Sequence, residues 1–118
     1  MKLKIDVVHG HGDATEERVL LTVLEDCNLN CYMVCDATYS RDGKISNKNR
    51  HSKWFVNKIV KKGERVSLHT RVGEDHDEKQ GGVMWHHIYW NFKSPIWNDD
   101  GDGAVLVEIS DWVTTKAR

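Results

Sequence analysis

Proline occurs once in the 118 residues, at Pro95, and phenylalanine only twice. No apolar run approaches the roughly 18 residues that a bilayer-spanning helix needs. A spanning helix and a collagen are both excluded on these grounds. No apolar period near 3.6 residues persists over eleven positions, so a coiled coil or a long amphipathic helix is excluded as well. Met1-Lys2-Leu3-Lys4-Ile5-Asp6 alternates charged and apolar residues and carries no apolar core of a secretory signal. Cysteine is sparse and odd in number: Cys27, Cys31 and Cys35 lie within nine residues. That is a poor disulfide framework, and reduced thiols in a cytoplasmic protein fit it better. No G-x-S-x-G, P-loop or paired Cys/His signature occurs. The acidic pairs Glu16-Glu17 and Asp99-Asp100 fall in turn segments, where water solvates charge readily. The sequence therefore predicts no enzyme, no resident metal, no cofactor and no small-molecule substrate.

What is present favours strands. Val, Ile and Thr total 25 residues, whereas Leu, Ala and Met total 14. Leu3, Ile5 and Val7 alternate with polar residues. Val19, Leu21 and Val23 share one parity and Leu20 and Leu24 the other, as in a strand buried on both sides. Further short runs follow around Tyr32–Cys35, Trp54–Val56, Val66–Thr70, residues 83–92 and Ala104–Ile109, with a last strand at Trp112–Thr115. Gly/Asp-rich turn signals separate them, among them Arg41-Asp42-Gly43-Lys44, Lys61-Lys62-Gly63-Glu64 and Gln80-Gly81-Gly82. The pattern predicts one all-β domain over residues 1–118, a β-sandwich of seven to nine short strands. Leu, Ile, Val and Phe make up about 24% of the chain, above the roughly 20% below which chains stay disordered.

Charge is segregated although its sum is only -1. Residues 1–40 carry -4, residues 41–71 carry +8, residues 72–112 carry -7, and the last six add +2. The basic block interleaves Lys48, Arg50, Lys53, Lys58, Lys61 and Lys62 with Trp54 and Phe55. Phosphates attract dense positive charge and bases stack on flat rings, so nucleic-acid binding is one reading of this stretch. The plainer reading is that the basic and acidic blocks neutralise each other across neighbouring strands.

Three clusters invite metal chemistry. The spacing C-x3-C-x3-C places the third thiol one residue later than the C-x3-C-x2-C of radical-SAM enzymes. An extended strand would spread the three sulfurs along a line rather than converge them. Asn98, Asp100, Asp102 and Gly103 match the opening positions of a calcium loop, but the expected bidentate acid falls on Ile109. An Asx-rich hairpin turn accounts for the same residues. Seven histidines include His86-His87, His9-x-His11 and Asp75-His76-Asp77, and none has a known zinc spacing. A metal-dependent enzyme using His86 and His87 is the alternative they leave.

Ile96-Trp97-Asn98-Asp99-Asp100-Gly101-Asp102-Gly103-Ala104-Val105-Leu106 resembles the signature of the lamin tail domain. That signature runs hydrophobic-Trp-Asn-Asn-x-Gly-Asp-x-Ala-x-Leu. Upstream, Trp54-Phe55-Val56 and the Gly63-Glu64 turn are similar to the family's middle strands, and Tyr32-Met33-Val34-Cys35-Asp36 to an earlier one. Cys31, Tyr32 and Lys62 depart from the usual Gly, Trp and Pro. The resemblance covers about residues 3 to 115 and is that of a stand-alone bacterial-type member. It implies an immunoglobulin-like β-sandwich in which Trp97 plugs the core. Asn98 and Asp102 would then bind turn amides, Gly101 would supply turn freedom, and Ala104 and Leu106 would face inward. It also implies a non-catalytic interaction module that binds another protein or a second copy of itself, with nucleic acid as the alternative partner.

Overall fold

The computed structural model describes residues 1–45, 50–97 and 102–117. Among the described residues there are ten strands: β1 (Leu3–His9), β2 (Arg18–Val23), β3 (Cys27–Asn28), β4 (Tyr32–Thr38), β5 (Ser52–Trp54), β6 (Ile59–Val60), β7 (Arg65–His69), β8 (His76–Gln80), β9 (Val83–Tyr89) and β10 (Asp102–Glu108). One 3-10 turn, Leu29–Cys31, is the only helical element among the described residues. It is capped at its start by the Asn28 side chain, which accepts the Asn30 N–H. Among the described residues no helix is long and apolar enough to cross a membrane.

The strands form a five-stranded sheet in the order β1-β2-β7-β9-β8, a three-stranded sheet β10-β4-β5, and a small β3-β6 pair. All pairings are antiparallel except β7 with β9. The two larger sheets enclose one apolar cluster. Leu3, Val19, Leu21, Val66, Leu68 and Ile88 come from the five-stranded sheet, and Tyr32 and Val34 from the smaller one. Alternate residues of a strand point to opposite faces, so this all-β sandwich follows from the period-2 pattern.

Several local expectations change. Val7 lies 46% exposed, and Val8 packs inward instead. A bulge between Ile5 and Val7 adds a residue to β1 and inverts its parity beyond Asp6. In β2 only one parity is fully buried, while Leu24 lies beyond the strand and is exposed. Residues 112–115 form no strand, and Trp112 and Val113 are exposed. Conversely, His76–Gln80 is a strand although every residue in it is exposed and four of the five are His, Asp, Glu or Lys. Such a sequence carries no apolar alternation, and its charge suits an unpaired sheet edge.

Trp97 is buried, 2% exposed, and lies 6.2 Å from Trp90 between ring centroids. Ala104 and Leu106 are partly buried and pack against the core, and Asp102 opens β10 opposite Thr38. Asn98 and Gly101, and with them the first half of the calcium-like turn, lie outside the described residues.

Candidate functional site

The hairpin that joins β8 to β9 sets the geometry of a histidine-rich surface. Gly81 and Gly82 both adopt positive φ, 57° and 82°, the pair of conformations a two-residue type I′ turn requires. This turn pairs Gln80 with Val83, and the register then runs unbroken to His76 opposite His87. Directly opposed residues share a face. His76, Glu78, Trp85 and His87 therefore lie on the outer face of the five-stranded sheet, away from Ile88 and the core. The parallel partner β7 adds Arg65, Ser67 and His69 to the same face.

These side chains stack into a column. The His69 ring lies 4.7 Å from Tyr89 and 5.1 Å from His87, and His76 lies 4.8 Å from His87, all near parallel. His69 Nε2 and His87 Nδ1 share a hydrogen bond of 2.9 Å. His76 Nδ1 donates to the Glu74 carbonyl at 2.9 Å. His87 Nε2 lies 3.4 Å from a Glu78 carboxylate oxygen but in no hydrogen-bond geometry, and it is shielded from solvent. Burial, then the positive charge of His87 and Arg71, pushes the His69 pKa down to about 4. Burial also lowers that of His87, with His76 adding to the effect. His69 is thus an uncharged imidazole at neutral pH.

His86 does not join this group. Consecutive strand residues face opposite ways, so His86 points to the core side while His87 points outward. His86 is buried at the sheet margin, with Nδ1 2.9 Å from Asp77 and Nε2 2.9 Å from Glu64. Each ring nitrogen thus faces one carboxylate oxygen. The His86/His87 pair anticipated from the sequence is therefore split between two environments. A cleft of about 340 Å3 opens beside them, lined by Lys58, Asp75, His76, Asp77, His86 and His87.

Desolvation pushes Glu64 and Asp77 up, but hydrogen bonds from His86 together with those from the Lys61 N–H to Glu64 and from Lys58 to Asp77 outweigh it and hold both carboxyls below their usual values. Lowered folded values stabilise the protein above the unfolded carboxylate range, and that stability is lost as pH falls through the folded values. Acid unfolding followed by circular dichroism is expected to steepen below about pH 4. In a His86→Ala variant the slope should be shallower, and an unchanged slope would show that His86 does not hold these two carboxyls down.

Among the described residues of the basic block, two lysines are ion-paired. Lys58 Nζ lies 3.1 Å from Asp77, and Lys61 Nζ 3.6 Å from Asp26. The backbone N–H of Lys62 donates to Asp26, and that of Arg50 to Asp36. Lys53 sits opposite Val34, on the core-facing side of its edge strand. Phe55 is buried and Trp54 half exposed. Lys48 lies outside the described residues. Part of the +8 block is thus paired with acids from its flanking blocks, as the neutralisation reading anticipates.

The three free thiols lie on β3, in the 3-10 turn and on β4, and among the described residues they do not converge as a three-ligand group. Burial pushes the pKa of Cys27 and of Cys35 up, which favours the unreactive thiol.

Sequence reading missed two features. Glu17, assigned to a solvated turn, is 1% exposed and binds four donors. The other is an apolar strip on the outer face of the three-stranded sheet. Val107, Met33 and Trp54 stand in one row across β10, β4 and β5. Trp112 reaches over from the C-terminal segment to pack edge-on against Trp54 at 5.2 Å. At the other end Gly103 lets Tyr39 approach: a Cβ there would fall 2.6 Å from the Tyr39 ring. The exposed aromatic in an irregular tail was the available signal.

No family model, no curated protein and no solved structure matches this chain.

Proposed function

We propose that this chain is a non-catalytic protein-interaction module, an immunoglobulin-like sandwich of the lamin-tail kind. It pairs with a second copy through the outer face of its three-stranded sheet. The observation that carries this reading is the Trp54–Trp112 pair, whose rings are 42% and 52% exposed and stacked edge-to-face. Tryptophan and methionine are enriched where proteins meet, because they bury much apolar area. Tyr39, Ile45, Met33 and Val107 extend the surface. A formal charge of -1 leaves little repulsion between copies. The outer strand edges are less suitable, since β8 carries the charged Asp77, Glu78 and Lys79 and β1 is bulged.

Light scattering over a range of protein concentrations tests the reading. The wild type is expected to dimerise. Trp112→Glu, a change in a segment outside the sheets, is expected to leave a folded monomer. A wild type that stays monomeric throughout overturns self-pairing. The same samples passed over heparin decide the nucleic-acid alternative: salt-sensitive retention would support it. The pairing of Lys58 and Lys61 with aspartates predicts flow-through instead.

A further inference from the structure

We propose that His76, Glu78 and His87 form a binding site for one divalent transition-metal cation of the zinc class, on the outer face of the β8–β9 hairpin. The site belongs to the five-stranded sheet and is independent of the docking face on the other sheet.

Three separate observations meet there. The first is convergence. One ligand atom from each of the three side chains lies within 4.8 Å of the others. Tetrahedral zinc with bonds near 2.0–2.1 Å holds its ligand atoms about 3.3 Å apart. The gap is therefore closed by a shift of roughly an ångström or so. His76, on an exposed edge strand, would make it by tilting out of its stack on His87, since a metal lies in the plane of each imidazole it binds.

The second is preparation of the imidazoles. A carbonyl oxygen only accepts, so the His76 Nδ1···Glu74 contact fixes the proton on Nδ1 and leaves the Nε2 lone pair available. His87 is oriented in the same manner, its Nδ1 facing His69 Nε2 at 2.9 Å. Ligating histidines are commonly held this way, with the second nitrogen bonded to a carbonyl or another acceptor. His69 acts here as a positioning residue and not as a ligand.

The third is an orphan. His87 Nε2 is sheltered from solvent and makes no hydrogen bond, although the Glu78 carboxylate lies 3.4 Å away. A shielded polar atom without a partner is costly. A cation between that nitrogen and the carboxylate would satisfy both. Two imidazoles and one carboxylate form a borderline N/O donor set, which suits zinc better than calcium or magnesium. Three protein ligands leave a fourth position for water or for a donor from a partner.

The spacing alone could not show this. His76 and His87 are eleven residues apart, and only the Gly81-Gly82 turn places them opposite each other.

Calorimetric titration of the full chain with zinc ion alone tests the site. The wild type is expected to bind one equivalent. His76→Ala and Glu78→Gln, both at exposed positions of an edge strand, are each expected to weaken binding at least about tenfold. A Cys27→Ser/Cys31→Ser variant and a His9→Ala/His11→Ala variant are expected to bind as the wild type does. The proposal is overturned if the wild type takes up no zinc. It is also overturned if His76→Ala and Glu78→Gln leave the affinity unchanged, or if the cysteine or the His9/His11 variant abolishes it.

Discussion

Replacing Glu17 by alanine is expected to lower the unfolding free energy by about 3–5 kcal/mol, because it leaves several buried donors without their acceptor. Glu17 precedes β2, and its carboxylate is almost wholly shielded. One oxygen accepts the Thr70 hydroxyl at 2.9 Å, the Trp97 N–H at 3.3 Å and the Ile96 N–H. The other accepts the Gly12 N–H at 3.0 Å. These donors come from three separate segments: the β1–β2 loop, the end of β7 and the segment after β9. Removing the acceptor leaves several of them unpaired out of water, and each such group costs roughly 1–3 kcal/mol. In a domain of this size the midpoint of thermal unfolding should fall by about 10–20 °C. Glu17→Gln keeps the shape and one acceptor oxygen, so it should cost much less, on the order of 1–2 kcal/mol. Urea denaturation of both variants checks the pair. A Glu17→Ala protein within about 1 kcal/mol of the wild type would mean that water reaches these donors.

The second large effect is expected at Trp97, where alanine should cost about 3–5 kcal/mol. The ring fills the core next to Trp90 and touches residues of both sheets' shared cluster. Truncation would leave a cavity that rigid β-sheets collapse poorly. Trp97→Phe should be milder. The indole N–H has no hydrogen-bond partner among the described residues, so its removal offsets part of the lost packing. The Trp97 backbone N–H already binds Glu17, so the two alanine substitutions are expected to be non-additive. A double variant whose cost equals the sum of the singles would show that the two residues act independently.

The resemblance that placed Trp97 in the core rested on a segment of fixed residue offsets. Burial of Trp97 agrees with that placement, while Asn98 and Gly101 of the same segment lie outside the described residues. Tyr32, in another segment of the resemblance, is also buried. Its hydroxyl donates to Glu108 at 2.8 Å and accepts the Lys2 N–H, and burial pushes its pKa up to about 12.

The all-β class was legible because it is written locally. Side chains alternate along a strand with a period of two, and a glycine turn interrupts the strand wherever φ must become positive. Val19, Leu21, Val66, Leu68 and Val34 could be assigned to the core from their own neighbours in sequence. The tertiary structure alone decided what stands next to what. Opposition of His76 and His87, the burial of Glu17 beneath Ile96 and the contact of Trp112 with Trp54 all join residues far apart in the chain. Such pairings depend on sheet order and register, and a strand carries no local record of either until its neighbours are in place.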